Sequence, residues 1–263
     1  MKKADLANQQ SILKQNVAAD LLWVFSGVLV VFCFIEIFDV PTNKDFVSRL
    51  KRFFERSFPP DFSILPSLLS PFLETAKIAV VSTFLATVIS FPLSVFASRD
   101  YSVTIIRSFL RVVLNGIRSV PSIVWAVVSV AILGAGPLAG AVALTIYSVG
   151  YLAKFFVDSF DSISPDLKWA LKDNGASLLQ SFAHGTWPSV RLQIFSHALW
   201  MLEYNLRAST IIGYVGAGGI GLRLHIYQEF GQWERFTAVL LCIFVVVMFL
   251  DILGSWIRRK VLE

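Results

Sequence analysis

Six stretches are apolar over enough length to be read as membrane-crossing helices: residues 21–38, 72–97, 121–133, 138–156, 192–213 and 236–257. A spanning helix needs about 20 mainly apolar residues. The third stretch reaches that length only if it begins before Pro121, and Pro92 lies near the end of the second. The pattern therefore predicts an all-α polytopic membrane protein with six transmembrane helices. Its parts are a tail (1–20), a first transmembrane helix (21–38), an external loop (39–71), a five-helix core (72–257) and a short tail (258–263). Six crossings put both termini on one side. The loops on that side hold twice as many Lys and Arg residues as those opposite, which predicts cytoplasmic termini.

Composition agrees. Hydrophobic residues make up 56% of the chain, charged residues 16%, and the mean hydropathy is +0.68. A soluble domain carries about 25% charged residues, so most soluble enzymes and disordered proteins are excluded. The net charge is +5 and the pI about 9.3. The basic residues sit in short gaps between apolar runs and not on a polar domain. They read as contacts to membrane lipid and not to nucleic acid. Cys33 and Cys242 both lie inside apolar runs, where a structural disulfide is not expected. Lys2, Lys3 and Lys14 precede the first run, which ends at Glu36 and Asp39 without a small-x-small site. It reads as an anchor and not as a cleaved signal.

Two polar intervals are long. In the external one, Phe53–Phe54 and Phe58–Phe62 are apolar enough to lie on a membrane surface. The other, residues 157–189, opens a helix at Ser164-Pro165-Asp166, with Ser as cap, Pro in the first turn and Asp against the dipole. Gly175 should interrupt this helical pattern and Pro188 end it. Connections of this length are usually functional.

Gly216-Ala217-Gly218-Gly219-Ile220-Gly221 spells G-x-G-x-x-G. A dinucleotide fingerprint requires a strand before it and a βαβ unit around it, and the chain has neither pattern. Gly216, Gly218, Gly219 and Gly221 are expected to end the fifth span and to let the chain turn against other backbones, as a turn or gate. The alternative is a concavity of N–H groups that holds an anion. The dipeptide Gly-Lys never occurs, so no phosphate loop exists here. His184, His197 and His225 are scattered without carboxylates at metal-ligand spacing, and no metal is expected.

The fifth span carries Glu203, Asn205 and Arg207. Glu203 lies ~16 Å and Arg207 ~22 Å from the inner end at 1.5 Å per residue. An Arg at such depth costs about 2.5–3.5 kcal/mol. The four-residue spacing lets the two side chains pair along the helix. Two readings stay open: an ion pair that fixes packing, or a cation facing a path used by an anion, with Ser209 and Thr210 beside it. Asp251 is expected to reach Arg258 or Arg259, and Lys77 to snorkel to the outer surface.

The inner interval resembles the cytoplasmic signature of ABC-importer permeases, Glu-Ala-Ala-x3-Gly-x9-Ile-x-Leu-Pro. Gly175 and Pro188 keep its spacing and Ala170 matches its first Ala. Trp169, Leu171, Gly185 and Trp187 depart from it. Glu203-Tyr204-Asn205-Leu206-Arg207-Ala208-Ser209-Thr210, followed by Gly213, Val215 and residues 216–221, resembles the fifth span of phosphonate-type members. Phe58-Pro59-Pro60-Asp61-Phe62 and the ending Leu250-Asp251-Ile252-Leu253 with Arg258-Arg259-Lys260 are similar to that subfamily as well.

The resemblance implies the permease subunit of an importer for a phosphorus oxyanion such as phosphonate or phosphite. It implies two ABC ATPase subunits that bind ATP and Mg, an external substrate-binding protein, and a second permease copy forming a homodimer. No cofactor is expected in this chain. The segment around Ala170, Gly175 and Pro188 would couple to the ATPase, while Glu203, Asn205, Arg207, Ser209 and Thr210 would line the path. A membrane-embedded enzyme and a passive anion channel are the other readings.

Overall fold

The computed structural model describes residues 22–36 and 46–262. The tail 1–20, both ends of the expected first span (21 and 37–38), the start of the following interval (39–45) and residue 263 lie outside the described residues. The chain divides into two units, residues 1–55 and 56–263. The first unit holds helix α1 (Leu22–Glu36), apolar and too short to pass a test for a span. Helix α2 (Phe46–Ser57) straddles the boundary. It has Phe46, Val47, Leu50, Phe53 and Phe54 along one face and Arg49, Arg52 and Arg56 on the other.

The second unit is a helical bundle. Its elements are α3 (Leu65–Ala97), α4 (Thr104–Ser119), α5 (Ser122–Leu133), α6 (Pro137–Asp161), α7 (Pro165–Asp173), α8 (Leu178–Ser181), α9 (Trp187–Ile212), α10 (Gly219–Glu229) and α11 (Trp233–Leu262). Among the described residues no strand occurs. Phe62–Ala97, Pro137–Asp161 and Trp233–Lys260 are each long and apolar enough to cross a membrane. The α4–α5 pair qualifies only jointly, bent by 88°. This bend answers the short third stretch: Pro121 lacks an N–H and breaks the helix there. Helix α9 is 26 residues long, yet its polar load keeps it below the same test. The second helix starts earlier than its apolar run, at Leu65, and passes through Pro71 and Pro92.

Helices α3 and α6 run side by side, and small residues let them close. Thr75, Ala79, Ser82, Ala86 and Ser90 are buried on α3, and Ala139, Ala143 and Ser148 are buried on α6. Where apolar solvent gives helices no reason to associate, small side chains gain dispersion contact by close backbone approach. The hydroxyls cost little, because Ser82, Thr83 and Thr87 return their protons to carbonyls of the preceding turn. Helix α9 lies across this pair and α11 against α9. Most of the α11 surface stays exposed.

Candidate translocation and coupling sites

Asn205 sits in the middle of the bundle, fully buried. Its amide donates to Thr83 Oγ1 on α3 at 2.9 Å and to Ser148 Oγ on α6 at 2.9 Å. Its carbonyl oxygen accepts from the same serine hydroxyl at 3.1 Å. One side chain thus ties three helices, and a buried amide needs such partners. Ser209 is also buried and donates to the Leu206 carbonyl. Asn205 and Ser209 therefore lie off the groove that holds Arg207 and Thr210.

That groove, about 1000 Å³, opens between α9 and α11. Arg207, Thr210, Asp251 and Arg259 stand over an apolar wall that includes Phe244 and Met248. Here the expected pairing along α9 is corrected. Glu203 accepts from Arg258, and Arg207 donates to Asp251. Asp251 likewise meets Arg207 and not its own helix's arginines. The four-residue spacing puts both α9 charges on one face, and antiparallel α11 offers charges of opposite order alongside. Crossing to α11 gives each ion a partner within reach, and Gly254 makes room, since a Cβ there would strike the Glu203 carboxylate.

The glycine turn is packed backbone on backbone. Gly216, Gly218 and Gly219 have φ of 94°, 82° and 73°, which L side chains rarely adopt. A Cβ on Gly221 would collide with the Thr210 carbonyl, and one on Gly213 with the Gly218 carbonyl. The N–H groups that open α10 are engaged by the protein itself. Gly219 donates to Glu74 Oε1 at 3.2 Å and Ile220 to Thr75 Oγ1 at 2.9 Å. The place that the alternative reading gave to an anion is taken by the carboxylate of α3, and Gly136 N–H donates to the Gly216 carbonyl at 2.9 Å.

The inner interval folds as expected at its start. Leu167 N–H donates to Ser164 Oγ, and Gly175, at φ 80°, ends α7 with Ala176 N–H returning to the Leu171 carbonyl. Ala170 is exposed on α7. Pro188 corrects the expectation: it stands in the first turn of α9 and starts a helix there, a position where its missing N–H is harmless. Ahead of it Ser177 and Gln180 form a capping box, and a wider turn spans Phe182–Thr186. The Phe182 ring mounts the segment on the bundle, edge-on to Phe91 (6.2 Å), Phe160 (5.8 Å) and Tyr101 (5.5 Å). Trp187 meets Phe91 at 5.5 Å, and the Tyr101 and Thr186 hydroxyls lie 2.6 Å apart.

A stripe of rings went unread in the sequence. Tyr147, Tyr151 and Phe155 recur every fourth residue on α6, and Trp200 and Tyr204 on α9, so helical spacing was the available signal. Tyr204 stacks on Tyr147 at 5.3 Å and donates its hydroxyl to that of Tyr147 at 2.9 Å. His197 lies against Phe155 and Ser159 and His225 against Tyr214. Among the described residues no cluster of His, Cys, Asp and Glu gathers that would hold a metal.

A bundle broken at α4–α5, with a mounted helical segment between α6 and α9, defines a transport permease in class. The chain belongs to the family described as binding-protein-dependent transport system inner membrane component, matched over residues 90–263. It is the membrane subunit of an ABC importer and not itself an enzyme. It is 32% identical over 237 residues to the phosphite transport system permease protein PtxC of Stutzerimonas stutzeri, covering 90% of this chain and 86% of that one. It is 33% identical over 213 residues to the phosphate-import permease protein PhnE of Mycolicibacterium smegmatis, covering 79% of this chain and 39% of that one. In fold it is similar to a chain of the MetNI methionine ABC transporter, with TM-score 0.67, 23% identity and coverage of 76% and 99%. A chain of an amino acid ABC transporter gives 0.63 and 17%, with coverage of 83% and 100%.

Proposed function

We propose that this chain forms the pore of an ATP-driven importer that carries a phosphorus oxyanion, such as phosphite or a phosphonate, into the cell. The observation that carries this reading is the likeness to a phosphite permease over 90% of the chain. The likeness to a phosphate-import permease supports the same class of anion. The chain crosses the membrane six times with both termini cytoplasmic, α4 and α5 together making one broken crossing. Two identical copies pair. Two ATPase subunits bind ATP and Mg, an external binding protein delivers the ligand, and this chain needs no cofactor.

The segment from Ala170 through Gly175 to Pro188 seats in a groove on the ATPase. Movement of that groove is passed to α3 and α6 through the rings around Phe182. Arg207 and Thr210 face the path, Asn205 and Ser209 hold its wall, and Gly216 through Gly221 close its outer end. The test is reconstitution. The chain, co-purified with its ATPase and supplied with its binding protein in proteoliposomes, should accumulate radiolabelled phosphite only when ATP is present. Gly175→Glu should abolish co-purification of the ATPase, whereas Gly175→Ala, which carries only the backbone strain, should keep it. Uptake without ATP, or full ATPase binding by Gly175→Glu, contradicts the reading.

A further inference from the structure

Arg207, the arginine that the sequence places at membrane depth, turns out to be paired with Asp251. A different arginine is not. Arg118 ends α4 immediately before the 88° bend, and from its sequence neighbours it reads as a loop residue. The fold carries it inward. A Cβ built on Gly150 would lie 3.2 Å from the Arg118 backbone nitrogen and 3.4 Å from its Cβ, so Gly150 is the gap into which the end of α4 fits. Gly150 lies just past the middle of α6 (Pro137–Asp161), ~20 Å from its Pro137 end and ~16 Å from its Asp161 end. Arg118 therefore packs beside the interior of a helix long and apolar enough to cross a membrane, in the half nearer its Asp161 end.

The residue is half-buried. It lies over the Tyr151 ring, 5.6 Å from the centroid, and donates to Asn115 Oδ1 at 3.2 Å. Among the described residues it meets no carboxylate. It is also not occupied in closing α4. The Trp125 indole donates to the Ile117 carbonyl at 3.3 Å and Ser119 Oγ to the Gly116 carbonyl at 2.8 Å. The neighbouring cations differ: Lys154 is paired with Asp158 and Arg111 with Asp161. These two line a small groove with Leu114, Asn115 and Val157. On the other side Tyr151 begins the ring stripe, with the Tyr147 and Tyr204 hydroxyls next along it.

We infer that Arg118 is a contact within the membrane for the transported oxyanion, with the Tyr151 ring as its floor. This rests on the oxyanion reading above. An uncompensated guanidinium at this depth needs water or an anion. Its planar donors match two oxygens of a tetrahedral phosphorus oxyanion. The ring beneath fixes its plane while leaving the opposite face of the guanidinium open. Lys154 and Arg111, already neutralised, set no second trap beside it.

The test uses the assembled transporter in proteoliposomes with radiolabelled phosphite. Arg118→Gln should lower the uptake rate at least tenfold while the binding protein still stimulates the ATPase, and Arg118→Lys should retain a third or more. In a background lacking Cys33 and Cys242, Arg118→Cys should react with both aminoethyl and sulfonatoethyl methanethiosulfonate. Only the cationic adduct should restore uptake. Wild-type uptake by Arg118→Gln, an unreactive Cys at 118, or equal effects of the two adducts overturns the inference. A wild-type transporter that takes up no phosphite sinks the oxyanion reading at the control. Thiol reactivity then still reports whether the site is wet, and an unreactive thiol overturns the placement.

Discussion

At the Pro137 end of the bundle backbone meets backbone, and at the Asp161 end ring meets ring. In the glycine turn, Gly213, Gly218 and Gly221 approach carbonyls, amides or a carboxylate at distances that exclude any side chain. Such a contact has no rotamers to relax and holds one geometry or fails. At the other end Phe91, Phe160, Phe182, Tyr101 and Trp187 meet edge to face. Ring edges tolerate sliding over several tenths of an ångström at small cost, because centroid separations from 4.5 to 7 Å are all favourable. The difference suits a lever. On the coupling proposed above, the end that closes around α3, α6 and α10 would stay fixed, and the end that carries the segment Pro165–Thr186 would give way while staying in contact.

The largest effect is expected at the fixed end. Gly221→Ala places a methyl against the Thr210 carbonyl with the Tyr214 nitrogen 2.9 Å away, and neither wall is a side chain that swings aside. The loss should be about 3 kcal/mol or more, seen as failure to recover monodisperse protein in detergent. Gly116→Ala is the control: nothing lies within 4 Å of its added Cβ, and a helical Ala for Gly gains up to about 1 kcal/mol. If Gly221→Ala melts with the wild type, the fixed end is not fixed by backbone contact.

A smaller effect is expected at the compliant end. Phe182→Ala removes a ring shared by three others and should cost about 2 kcal/mol, since the site is only half-buried and partly collapses. Its functional signature is separate. The complex should assemble, hydrolyse ATP and transport poorly, because the segment is no longer seated on Phe91 and Phe160. Phe182→Leu should recover most of the stability and less of the coupling. Equal loss of ATPase binding and transport in Phe182→Ala would show that the rings only hold the segment's fold.

The sequence made the helices legible and their partners much less so. Apolar run length located α3, α6, α9 and α11, because lipid imposes one length on every crossing. It missed the fusion of α4 and α5 into one bent element, since α4 is amphipathic and its exposed apolar face, with Ile105, Phe109 and Val112, leaves no continuous run. Ser164-Pro165-Asp166 announced α7 through local chemistry alone. Charges were readable in kind and not in pairing. The spacing of Glu203 and Arg207 fits an intrahelical pair, and only the antiparallel placement of α11 shows that Asp251 and Arg258 compete better. Arg118 illustrates the same gap. Nothing local to it reports Gly150, more than thirty positions on, which decides its depth.

The smallest effect tests whether polar contacts add to the fixed end. Asp61 begins the turn before α3 and reaches α11: its N–H donates to the Glu234 carbonyl at 3.2 Å, and its carboxylate accepts from Arg235 Nε at 3.1 Å. The Ser63 hydroxyl and N–H also donate to the carboxylate, and together with Arg235 they hold its pKa below the ordinary value for an aspartate. A carboxyl lowered on folding contributes stability above its unfolded pKa and loses it as pH falls through the folded value. The melting difference between wild type and Asp61→Asn should therefore be small and flat from pH 8 to about pH 5, and shrink only below about pH 4. The group is exposed, so salt should erode even that difference. A gap that opens instead between pH 5 and 8 would point to a titrating partner other than Asp61. A large gap that survives high salt would mean that the Pro137 end is held by this clamp as much as by its glycines.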